Sequence, residues 1–89
     1  MNITAQALTQ RLQERLNPVF VEVLDESAAH AGHVGASDTG MGTHFRIRIQ
    51  SPIFASQTRV ATHRLVYDAL QEYIDQGLHA LAIEVIETP

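Results

Sequence analysis

The chain has no cysteine and no lysine, only three prolines, and aromatic residues at 6%. The absence of cysteine excludes a disulfide framework, a thiol nucleophile and any all-thiolate metal or cluster site. The absence of lysine leaves six arginines as the whole basic complement, against ten acidic residues, for a formal net charge of −4. An acidic chain of this kind is a poor non-specific binder of nucleic acid. No apolar run approaches the length needed to span a bilayer, and the polar start MNITAQALTQRLQERL does not resemble a secretory signal, so no membrane partner and a cytoplasmic location are expected. At 89 residues, 45% of them hydrophobic, the composition is that of one globular domain whose thin core buries roughly 60–65% of the unfolded surface. What the chain has in excess is histidine: five, with His30, His33 and His44 inside fifteen positions.

The pattern of apolar residues gives the elements. Leu8, Leu12 and Leu16 recur at helical spacing, and Asn17-Pro18 ends that helix. Val19 to Leu24 is rich in β-branched residues and reads as a strand, with Val19, Val21 and Val23 on one face. In His44 to Gln50, Phe45, Ile47 and Ile49 point inward while His44, Arg46, Arg48 and Gln50 point out. A second helix starts near Ser56 to Thr58 and carries two ribs, Ala61/Leu65/Ala69/Tyr73 and Val66/Leu70/Ile74, up to a left-handed stop at Gly77. Ala80 to Glu87 alternates as a third strand through Leu81, Ile83 and Val85.

The order helix, strand, strand, helix, strand predicts an α+β two-layer sandwich. Strands one and two form an antiparallel hairpin, and strand three returns parallel after a right-handed crossover. Both helices cover one face of the mixed sheet. The other face collects Glu22, Arg46, Arg48 and Glu84 as a self-neutralising surface. Between the first two strands, Asp25 to Thr43 contains four glycines and almost no bulky apolar residue, a length and composition of a mobile, functional loop.

Several chemistries are set aside on local grounds. Gly35 to Gly42 lacks the lysine of a phosphate loop and leads into a strand. Asp25-Glu26-Ser27 near His30 offers acid, base and nucleophile types but no rigid frame, so no catalytic residue and no enzyme activity are expected. His30-x-x-His33, with His44, makes only part of a zinc site, and structural zinc usually takes four ligands. On physics alone, His79 at a strand end and His63 on the second helix read as packed or solvated histidines.

Six segments in order nevertheless resemble the BolA family: Val23-Leu24-Asp25-Glu26-Ser27, His30-Ala31-Gly32-His33, Thr43-His44-Phe45, Phe54, His63-Arg64-Leu65-Val66-Tyr67 and His79-Ala80-Leu81. The resemblance runs from about Leu8 to Ile86, so that residues 1–89 read as a single BolA-like domain with a flexible Gly/His loop at about 26–43. It implies a class II KH-like fold and an accessory role in iron–sulfur cluster assembly and trafficking. The implied partner is a monothiol glutaredoxin, in a heterodimer that shares a [2Fe–2S] cluster held also by glutathione; alone, the chain would carry no cofactor. The implied metal ligands are His79 and one of His33 and His30, with His44 as a weaker candidate or a supporting neighbour. The alternative the family implies is a stress-response transcriptional regulator that binds DNA through the KH-like surface, with Arg59, Arg64 and His63 as the contacts. A homodimer is compatible with either. The sequence departs from the family pattern at Ser56, Gln57 and Thr62, where glycine, a basic residue and arginine are common, which weakens a basic groove more than it weakens a cluster site.

Overall fold

In a computed structural model of the chain, residues 3–26, 44–78 and 80–86 are described. Of the loop expected over Asp25 to Thr43, Asp25 is in the first strand and Glu26 bonds the His44 backbone, while 27–43, with His30 and His33, lies outside the described residues, as does His79.

The first helix, α1 (Ala5–Leu16), starts where Thr4 Oγ1 accepts the Ala7 N–H at 3.1 Å and so satisfies one of the free amides of the first turn. Leu8, Leu12 and Leu16 are its buried stripe. It ends because Asn17 takes a left-handed conformation (φ 46°), a stop that asparagine tolerates better than most residues. Strand β1 (Phe20–Asp25) pairs antiparallel with β2 (His44–Gln50), and β2 pairs parallel with β3 (Ala80–Val85). The sheet order β1-β2-β3 puts β2 in the centre, so Phe45, Ile47 and Ile49 are sealed on the inner face while the flanking strands' Val21, Val23, Leu81, Ile83 and Val85 are only partly covered. The element order and mixed three-stranded sheet are those expected.

The strand boundaries differ from those the alternation suggested, and β1 runs on through Asp25, which was expected to open the loop. β1 begins at Phe20 rather than Val19, although the Val19 N–H still reaches the Gln50 carbonyl at 2.9 Å. β3 runs Ala80–Val85, and Glu87, its expected end, lies outside the described residues.

The second helix is in fact two. After a 3₁₀ turn at Pro52–Phe54, α2 runs Arg59–Ala69 and α3 runs Gln71–Asp75. The hydroxyl that caps α2 is Thr58, which accepts the Ala61 N–H at 3.0 Å. The break is at Leu70, a fully buried residue whose N–H reaches back to both Val66 and Tyr67 carbonyls. Leu70 itself departs from helical backbone angles, at φ −106° and ψ 10°. Of the two expected ribs, Val66, Leu70 and Ala69 are buried, and Leu65, Tyr73 and Ile74 pack against the core from its margin; Thr62 is buried as well. Arg11 fastens α1 to α3, bonding Glu72 at 2.9 Å and lying 5.1 Å over the Tyr73 ring. Gly77 ends the helical segment with φ 119°. No helix among the described residues is long and apolar enough to cross a membrane.

Candidate functional site

Two strands begin side by side at one end of the sheet. His44 opens β2 opposite Ala80, which opens β3 and follows His79 in the chain. On the other flank the Glu26 N–H donates to the His44 carbonyl at 2.8 Å, closing the stem of the segment in which His30 and His33 occur. Strand alternation forces His44 onto the face opposite the buried Phe45, and it is half-buried there.

On that same face, next along the strand, Arg46 bonds Glu26 through Nε at 3.1 Å and Glu84 through a terminal nitrogen at 3.0 Å. Arg48 continues the chain of charges, to Glu84 at 3.1 Å and Glu22 at 3.4 Å. Three carboxylates therefore surround two guanidiniums across all three strands, one more than the four-residue face expected. Glu26 is missed by sequence reasoning because it falls in the expected loop; the signal that finds it is the even-numbered parity it shares with Glu22. Its hydrogen bond is the foremost cause, followed by its charge and that of Glu84, that pushes Arg46 above its ordinary value. The guanidinium is thus a permanent cation beside His44.

Of the residues expected to bind metal, His44 alone lies among those described, and no group of three or more histidine or carboxylate side chains among the described residues could hold a metal ion. The three residues expected to touch nucleic acid are not gathered on one surface. Arg59 and His63, one helical turn apart on α2, line a groove of about 600 Å³ against β3. Arg64 lies in a different depression of about 550 Å³, with Ile53, Val60 and Asp68. Thr62 is only 4% exposed, its hydroxyl donating to the Arg59 carbonyl at 2.8 Å. Position 62 of this chain is therefore a buried hydroxyl at the floor of the groove that Arg59 and His63 line, where the family pattern has a cation.

The fold and the ordered segments can now be set beside known proteins. A two-layer α+β domain with a parallel third strand, carrying imidazole and arginine at one sheet end, is the class of protein defined here. A model of the BolA-like protein family matches residues 12–89. The chain belongs to the BolA-like family. It is 45% identical over 86 residues to SufE-like protein 1, chloroplastic/mitochondrial, of Arabidopsis thaliana, covering 92% of this chain and 23% of that one. It is 44% identical over 86 residues to Protein BOLA1, chloroplastic, of the same plant, covering 96% and 53%. A protein from Sinorhizobium sp, 42% identical, is matched over 89% of its length. The chain thus spans about a quarter and about half of the two plant relatives. Among solved structures, BolA1 from Arabidopsis thaliana superposes with a TM-score of 0.82 at 39% identity, covering 100% of this chain and 99% of that one. The BolA domain of SufE1 from the same plant gives 0.80 at 41%, covering 91% and 87%.

Proposed function

We propose that this protein is a non-enzymatic accessory factor in iron–sulfur cluster handling, which binds a monothiol glutaredoxin and lends histidine ligands to a [2Fe–2S] cluster as cargo. The observation that carries the reading is the junction of the β2 and β3 starts: the His44↔Ala80 pairing brings one imidazole-bearing position next to the chain neighbour of His79. Family membership, and a relative that joins a BolA domain to a SufE-like protein, support it. The donor set fits the division of labour. A [2Fe–2S] cluster takes four protein-side ligands, for which histidines can replace cysteines on one iron, and this chain has imidazoles and no thiol. The thiolates come from the partner's cysteine and from glutathione, and the histidines in the proposed set are His79 with His33 or His30. Because a protonated imidazole cannot ligate, acid weakens the hold on the cluster from this side.

The test is to mix the full chain with a monothiol glutaredoxin, glutathione, ferrous iron and sulfide, and to record visible absorption and circular dichroism. A spectrum distinct from that of the glutaredoxin alone is expected, altered by His79→Ala and by the joint His30→Ala/His33→Ala change. Spectra from both variants identical to the parent's overturn the ligands; no complex at all overturns the partner. We also propose a cytoplasmic site of action. The plant relatives are named for the chloroplast and, in one case, the mitochondrion, and fractionation that finds the chain in an organelle overturns this part.

DNA binding is the second reading, favoured by Arg59, which makes no ion pair among the described residues. Retardation of promoter DNA that weakens steeply with salt and is lost in Arg59→Ala and Arg64→Ala supports it.

A further inference from the structure

The groove between α2 and β3 has the parts of a strand-addition site. β3 is an edge of the sheet, and its hydrogen-bonding parity can be read from one contact: the Ile86 N–H donates to the Ile49 carbonyl at 2.8 Å. In a parallel pair, backbone groups alternate between the partner strand and the open side. Even-numbered residues of β3 therefore turn their N–H and C=O groups to β2, and Ile83 and Val85 turn theirs to the free edge. Their side chains point the other way from Glu84, into the layer under α2, yet stay only half-buried where Ile47 and Ile49 of β2 are fully sealed. An apolar floor is left open beside a row of edge backbone donors and acceptors that pair with no strand among the described residues. Glu84 does not oppose an acidic visitor, because its carboxylate is turned to the outer face and shared between Arg46 and Arg48. The far wall is α2, where Arg59 and His63 line the groove.

We propose that this groove receives an extended segment of a partner protein, which adds to β3 as a fourth strand, seats alternate apolar side chains on Ile83 and Val85, and places a carboxylate on Arg59 and His63. Main-chain pairing supplies affinity in such a mode and the alternating pockets supply specificity. Charge complementarity selects the acidic group: Arg59 is exposed and has no ion-pair partner among the described residues, in a chain that is otherwise net acidic. A single-stranded nucleic acid fits less well, since such grooves stack bases on exposed aromatic rings and the lining here holds no tyrosine or tryptophan, its one phenyl ring, Phe54, being 8% exposed. On the opposite edge, β1, the outward face presents Glu22 between Phe20 and Leu24. The site is independent of cluster binding, which involves the other end of β3.

The experiment is selection of random octapeptides displayed on phage against the full-length chain, followed by titration of the winners into isotope-labelled protein by NMR. Enriched peptides should alternate apolar residues around an Asp, a Glu or a free C-terminal carboxylate, with amide shifts concentrated at residues 59–63 and 83–86. Arg59→Gln should weaken them about tenfold, the loss of one charge-assisted hydrogen bond. Val85→Pro removes an edge amide and should abolish binding. In case that variant does not fold, N-methylating alternate amides of the peptide removes the same pairing without altering the protein and should also abolish binding. The proposal is overturned by no enrichment over an unrelated control protein, by shifts mapping elsewhere, or by peptides indifferent to Arg59→Gln and to N-methylation. A short oligothymidylate that occupies the groove when no peptide does overturns it in favour of nucleic acid.

Discussion

Ser51 joins α1 to the turn after β2 through a single hydroxyl. It donates to the carbonyl of Leu16, an otherwise unsatisfied group at the end of α1, and accepts the Ile53 N–H at 3.3 Å. At 4% exposed there is little water to replace either bond. Ser51→Ala should therefore cost about 1–3 kcal/mol, the desolvation of groups left unpaired, seen as a lower urea midpoint with an unchanged slope. Gly77 is a different case: a Cβ there would meet nothing within 4 Å, yet φ is 119°, a backbone region that side-chain-bearing residues rarely enter. Gly77→Ala should cost about 1–3 kcal/mol through backbone strain alone, measured by thermal unfolding. Gly77 could be read from the sequence because glycine after a helical pattern marks a stop; Ser51 could not, since its partner is 35 positions away.

At the scale of elements, the strands were legible because one face of each is apolar and the other polar, so the period of two is written in residues such as Phe45, Arg46, Ile47 and Arg48. Their ends were not, because Val19 continues the apolar pattern of β1 although the strand begins at Phe20. The break at Leu70 was also hidden. The 61/65/69/73 spacing runs straight across it, and only the packing of Leu70 against the core shows where regular helix gives way. The outer-face charges were legible by parity, and they give a prediction that belongs to the network. Its members are largely solvent-exposed, where single ion pairs contribute little. Arg46→Gln should lower stability slightly at low salt, and the difference from the parent should vanish near 1 M salt, where the screening length is about 3 Å. A decrement that persists in high salt would mean that Arg46 acts by packing. The high position of the Arg46 guanidinium's pKa implies that this contribution would be lost only as pH rises through that raised value, beyond ordinary working conditions. Near neutral pH the arginine is therefore not the titrating member.

The whole molecule rests on a small core in which three consecutive inward residues of β2 are nearly or fully sealed. Ile47→Ala should cost about 2–5 kcal/mol against a total of about 5–15 kcal/mol for a domain, so the variant should unfold at markedly lower denaturant by circular dichroism. The candidate site was less legible than this core. Its histidines stand out by count, but periodicity assigns them no common location, and only their order among family-like segments joined them. His44 now has a described partner position in Ala80, while His30, His33 and His79 lie outside the described residues.

The parallel pairing of β2 and β3 also has a consequence in time. After His44 is made, the ribosome must add 36 residues before Ala80, its ladder partner, exists. Helix α1 and the β1–β2 hairpin can form on the emerging chain, but the central strand keeps one flank open until the crossover has been synthesised and folded back. Long-range pairing of this kind is slow to close. The end of the sheet where His44 meets β3 is therefore among the last parts of this domain to close, and a ligand that needs both strand starts is held there only after β3 has docked.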